Sequence, residues 1–98
     1  MANNLIVSYD LINPGQRYDK VIAAIKRQGT WAKVHYSLFY LDTSKSAEAV
    51  ADAIWAAMDA NDRLIVVDAS NNAAYWYNLP SDVSSFLKEH WRSQSYAA

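Results

Sequence analysis

Cysteine is absent from this chain of 98 residues, which excludes disulfide frameworks, thiolate zinc sites and cysteine nucleophiles. Glycine and proline number two each, too few for a collagen-like or linker-rich chain. No apolar run approaches the ~18 residues that a membrane-spanning helix needs, so no membrane partner is expected. The opening Met1-Ala2-Asn3-Asn4 has neither a basic n-region nor an apolar h-region. No secretory signal is expected there, and the cytoplasm is the expected location. Neither sign of charge dominates, the net being −1 at pH 7.

What is present is the composition of a folded globular chain, 52% hydrophobic and 19% charged. It predicts one domain over residues 1–98, long enough to bury roughly two-thirds of its unfolded surface around one core. The charge is unevenly spread. Residues 1–45 hold six basic residues against three acids, and residues 46–98 hold three against seven. Only the first part has the basic excess that nucleic-acid binding calls for.

Residues 5–11 (LIVSYDL) read as a strand closed by the turn signal Asn13-Pro14-Gly15. Tyr18, Val21, Ile22 and Ile25 recur at helical spacing, with Gly29 placed as a C′ glycine after Lys26 and Arg27. Lys20 and Arg27 project opposite the apolar stripe, as a solvated helix face would. Residues 31–41 (WAKVHYSLFYL) are β-branched and aromatic. They suit one bent strand, or two with a break near Tyr36 and Ser37. Ala47, Val50, Ala51, Ile54 and Met58 mark a second amphipathic helix, and residues 64–67 (LIVV) a continuous apolar strand, central in its sheet. Residues 73–77 read as a further strand after a turn at 70–72. Val83, Phe86, Leu87 and Trp91 form a short last helix with Ser81 as its N-cap, and residues 93–98 a frayed tail. The order predicts an α+β, ferredoxin-like βαββαβ domain with an antiparallel sheet and an appended C-terminal strand and helix.

Most familiar sites are missing. Gly15 and Gly29 are isolated, so there is no phosphate loop. His35 and His90 lack ligand-spaced partners. Asp10, at the end of the first strand, is the best candidate for chemistry; its bland alternative is capping its own turn. Ser37 is a small polar residue among aromatics, the bland alternative being a half-exposed strand position. Tyr75, Trp76 and Tyr77 have the rings to stack nucleobases, or to fill a core or dimer interface.

At these residues a resemblance enters. Ile6-Val7-Ser8-Tyr9-Asp10-Leu11 resembles the strand ending in Tyr-Asp-aliphatic of the small CRISPR adaptation proteins, the Cas-two-like family. The run from Gly29 through Trp31, Lys33, Val34 and Ser37 to Phe39 resembles that family's second signature, with His35 and Tyr40 standing where Gln and Glu are usual. The likeness covers about residues 4–68. Tyr9–Tyr18 and Ala73–Trp76 are similar to segments of the SinR-family relatives, and VapD-type toxin ribonucleases share the fold.

The resemblance implies a homodimer in which the strand after residue 70 extends the neighbour's sheet and the two Asp10 side chains face each other across the two-fold axis. One carboxylate per chain is too little to hold Mg²⁺ or Mn²⁺, but an isologous interface doubles it. The implied activity is a metal-dependent endonuclease. Asp10 would be metal ligand and catalytic residue, with Ser37 beside it in the catalytic site and Phe39 as support. Nucleic-acid binding would rest on Arg17, Lys20, Lys26, Arg27 and Lys33. The alternative is a non-catalytic dimeric adaptor in a defence or counter-defence system, binding nucleic acid or an integrase-type protein. A third reading is a small-ligand binder using Trp31, Trp76 and Trp91.

Overall fold

The chain is described by a computed structural model over residues 2–12 and 18–91. Alternation along NNLIVSYD builds β1 (Asn3–Asp10), which buries Leu5, Val7 and Tyr9 on one face and turns Ile6, Ser8 and Asp10 to the other. Next come α1 (Tyr18–Lys26), β2 (Thr30–His35), β3 (Leu38–Thr43) and α2 (Ala47–Trp55). The chain closes with β4 (Arg63–Asp68), β5 (Ala73–Tyr77) and α3 (Ser81–His90). The five strands form one sheet in the order β2-β3-β1-β4-β5, every neighbouring pair antiparallel. This α+β arrangement is compatible with a ferredoxin-like fold. The Asn13-Pro14-Gly15 turn, Arg17 and the 93–98 tail lie outside the described residues.

Both main helices cover the same face of the sheet. Val21 and Ile25 of α1 and Val50 and Ile54 of α2 are fully buried against Leu5, Val7, Phe39, Leu41, Leu64 and Val66. Ser46 caps α2 with its hydroxyl, which accepts the Ala49 N–H at 3.1 Å. The helix α3 buries none of its residues. It is tethered to the other face by the Trp76 indole N–H, which donates to Ser84 Oγ at 3.0 Å.

Several sequence expectations shift here. The 31–41 run is two strands, because Tyr36 and Ser37 make a turn and Ser37 adopts a left-handed φ of 60°. Ser81 is the first residue of α3 rather than its N-cap. Pro80 holds the extended cap position, and its carbonyl accepts the Ser84 N–H at 2.9 Å. Gly29 does not take the left-handed backbone of a C′ glycine. It is needed for space instead, since a Cβ there would stand 2.5 Å from the Asp42 carbonyl oxygen. The strand β4 lies between β1 and β5, yet only alternate residues are buried, leaving Ile65 and Val67 half-covered. Within the chain β5 pairs with β4, its register running from Leu64 with Tyr77 to Asp68 with Ala73, which makes β5 an edge strand of the sheet.

The face opposite α1 and α2 is apolar and incompletely covered. Cross-strand register places Tyr40, Ile6, Val67 and Ala74 in one row and Leu38, Ser8, Ile65 and Trp76 in the next. All eight are half-buried.

Candidate functional site

Asp10 ends the lower margin of that open face. The two-residue period that buries Tyr9 turns Asp10 outward, and its side chain is exposed. Arg63 stands opposite it in the β1–β4 register. The two line a cavity of about 140 Å³ together with Ser8, Leu64, Ile65 and Leu79. A carboxylate and a guanidinium therefore share the edge of an apolar surface.

Ser37 lies elsewhere. Its carbonyl accepts the Tyr9 N–H at 3.2 Å, and its side chain is hydrogen-bonded to the Tyr9 phenol on the face that α1 covers. Burial pushes the Tyr9 phenol above its usual 10.0, the Ser37 hydrogen bond pulling the other way. Ser37 shares a cavity of about 220 Å³ with Tyr9, Tyr18, Ile22, Lys33 and Tyr36. Asp10 and Ser37 are thus close in the strand ladder but open into different cavities. Phe39 is fully buried in the core.

Of the basic candidates, Lys33 lines the Ser37 cavity. Lys20 and Arg27 are exposed, and helical periodicity puts them on the outer side of α1, away from β2. Lys26, on the α1 flank that faces β2, sets its Nζ 4.1 Å from the centre of the Trp31 ring. Lys33 does the same over Tyr36 at 5.3 Å. These cation–ring pairs were not anticipated, although the five-residue separation of Lys26 and Trp31 across a helix end was a usable signal.

The aromatic trio of β5 is occupied structurally. Tyr77 stacks on Trp55 with ring centres 4.8 Å apart and planes 3° from parallel. Its hydroxyl donates to Asp52 Oδ1 at 2.6 Å. Trp76 is held by Ser84, and the Trp91 indole donates to the Asn72 carbonyl at 3.3 Å.

Two buried acids also do structural work. Asp62 is inaccessible to solvent, and its carboxylate accepts the Ile12 N–H at 3.0 Å and the Asp59 N–H at 2.7 Å. Asp68 accepts the N–H groups of Ser70 and Asn71, both at 3.0 Å, closing the turn before β5.

Among the described residues, no three or more His, Cys, Asp or Glu side chains are grouped so as to hold a metal ion. The carboxylate of Asp10 alone is a single hard ligand, so a Mg²⁺ site there would have to draw on a second copy. No described helix is long and apolar enough to cross a membrane. Comparison with protein-family models, with curated proteins and with solved structures finds no match to this chain.

Proposed function

We propose that this chain acts as a homodimer that binds nucleic acid and cleaves phosphodiesters in a Mg²⁺- or Mn²⁺-dependent reaction at Asp10. The observation that carries the reading is the position of Asp10, an exposed carboxylate at the margin of a broad half-covered apolar sheet face. Apolar surface of this kind is the raw material of an isologous interface, which repeats every margin residue across the two-fold axis. A second copy seated there would bring a second Asp10 to the first. The likeness of residues 6–11 and 29–39 to the small CRISPR adaptation proteins supports the same assignment and would place the protein in antiviral defence.

The residues would divide the work simply. The two Asp10 carboxylates would hold the cation, and Arg63, beside each of them, would attract a phosphate oxygen. A bound Mg²⁺ or Mn²⁺ would supply acidification of water and charge neutralisation at the phosphate. Ser37, which opens into a separate cavity, takes no part in the bond cleavage in this reading.

A second reading has an observation of its own. Within one protomer Asp10 faces Arg63 rather than another acid, an arrangement that suits a structural pair at a dimer margin. The same fold would then be a non-catalytic adaptor for nucleic acid or for an integrase-type protein.

Labelled RNA and DNA incubated with Mg²⁺, Mn²⁺ or EDTA, for the native chain and Asp10→Asn, separate the two. Metal-dependent cleavage that disappears in Asp10→Asn supports the nuclease. No cleavage in either metal from a folded dimer overturns it in favour of the adaptor.

A further inference from the structure

The richest unassigned feature is the groove between α1 and β2, at the opposite end of the sheet from β5 and α3. One wall is the flank of α1 carrying Tyr18, Ile22 and Lys26, residues that helical periodicity sets one above another. The other wall is β2 with the turn that follows it, carrying Trp31, Lys33 and Tyr36. Every residue of β2 is exposed, and β2 is the outer strand of the sheet. Tyr36 is 86% exposed, the most of any large apolar or aromatic side chain described, while Trp31 is 43% and Tyr18 is 51% exposed.

Three rings left in water on one short edge are a cost that packing does not explain. Phe39 and Tyr9 already fill the core beneath them. Nor are the rings alone. Lys26 lies over the Trp31 ring and Lys33 over the Tyr36 ring, so an ammonium group sits beside each exposed ring. Aromatic platforms alternating with cations are the combination that holds single-stranded nucleic acid, whose bases offer their faces and whose phosphates follow the positive charge. A duplex hides those faces.

We propose that the α1–β2 groove binds a short single-stranded segment of RNA or DNA, with bases on Trp31 and Tyr36 and phosphates on Lys26 and Lys33. Trp31 and Tyr36 are separated by five residues of chain, roughly 15 Å if extended, room for a few unstacked nucleotides. Charge argues against a second copy as the occupant, because a face-to-face contact would crowd four lysines together. The charge of the rest of the chain agrees. Lys20 and Arg27 outnumber Asp19 on and beside α1, and the one acid of the neighbouring β3 is Asp42, whereas Glu48, Asp52, Asp68, Asp82 and Glu89 belong to α2, β4 and α3.

This inference deepens the nucleic-acid side of the function proposed above and rests on it, but it uses no part of the Asp10 site. Binding and cleavage are therefore separable. The test is fluorescence anisotropy of labelled oligonucleotides of about ten residues, single-stranded and duplex, RNA and DNA, across a salt series. Tyr36→Ala and Trp31→Ala are each expected to weaken single-strand binding about tenfold. Lys26→Gln and Lys33→Gln are each expected to flatten the salt dependence by roughly 0.7 in log–log slope. Phe86→Ala, which removes an exposed ring on α3, should leave binding unchanged.

Because Trp31 touches Phe39, its variant can suffer in folding; Tyr36→Ala, at the exposed turn, keeps the test decisive. Binding by Tyr36→Ala equal to the native chain overturns the proposal. So does duplex binding as tight as single-strand binding, or a dimer that dissociates in Tyr36→Ala, which would assign the groove to a second copy. Loss of cleavage in Asp10→Asn with binding intact, or failure to cleave at all with binding intact, leaves this groove supported and speaks only to the catalytic reading.

Discussion

The Tyr77 hydroxyl donates to the Asp52 carboxylate across 2.6 Å, joining the last strand of the sheet to α2. That carboxylate, first among the causes, pushes the Tyr77 pKa up to about 12 from its ordinary 10.0.

The raised pKa fixes a sign. In the folded chain Tyr77 keeps its proton where the unfolded chain has lost it, so the stabilisation is complete below pH 10.0 and is lost as pH rises toward about 12. Spectrophotometric titration of tyrosinate is expected to show a late-ionising tyrosine that disappears in Tyr77→Phe. Asp52→Asn should bring that step back toward the ordinary range. A titration unchanged by Asp52→Asn would show that the hydrogen bond is not its cause.

Gly29→Ala is expected to destabilise the fold. The added Cβ meets the Asp42 carbonyl oxygen at 2.5 Å and Thr43 Cβ at 2.9 Å, backbone and a β-branched side chain that cannot swing aside. Overpacking of this kind costs about 1–3 kcal/mol, or roughly 4–20 °C in Tm for a domain of this size. Thermal unfolding followed by circular dichroism measures it; a Tm at or above the native value would mean that the α1–β2 connection can move as a unit.

Asp62→Ala is expected to be costly for a different reason. It removes the acceptor of two part-buried N–H groups, those of Ile12 and Asp59, each hydrogen bond contributing about 0.5–1.5 kcal/mol. Urea denaturation should show a lower midpoint with little change in slope. Asp62→Asn, which retains one acceptor oxygen, should fall between the two.

Ile6→Asp tests the proposed dimer. Ile6 sits on β1 in the middle of the open face, between Tyr40 and Val67. A charge there, doubled by symmetry, should raise the dimer dissociation constant by roughly a hundredfold or more. Light scattering coupled to size exclusion reads the result. An unchanged dimer would move the interface to another surface.

The parts of the fold that were legible in the sequence are those set by local pattern. The strand at residues 73–77 has the bounds its aromatic run suggested, and α2 carries the apolar stripe Ala47, Val50, Ala51 and Ile54 that marked it. The hairpin break was visible only as an alternative, because it depends on Ser37 accepting a left-handed backbone that a serine tolerates without advertising. The need for Gly29 was legible but its reason was not, since Asp42 meets it only through the sheet. The role of Asp62 was not legible, because one of its partners, Ile12, is 50 residues away. At the candidate site, Asp10 stood out through its place at a strand end. The separation of Ser37 from it followed from which face each side chain takes, and the turn between β2 and β3 had to be located before that face was known.

The sheet order has an electrical consequence. Placing β2 and α1 at one end and β5, α2 and α3 at the other separates the basic segment from the acidic one by the width of the molecule, so a chain of net charge −1 carries a substantial permanent dipole moment. At low ionic strength it should adhere to cation and anion exchangers alike, each resin gripping a different end. Approaching any polyanion, it would rotate into alignment before touching, and the Debye length of about 10 Å at 0.1 M salt sets how close it must come for that torque to act.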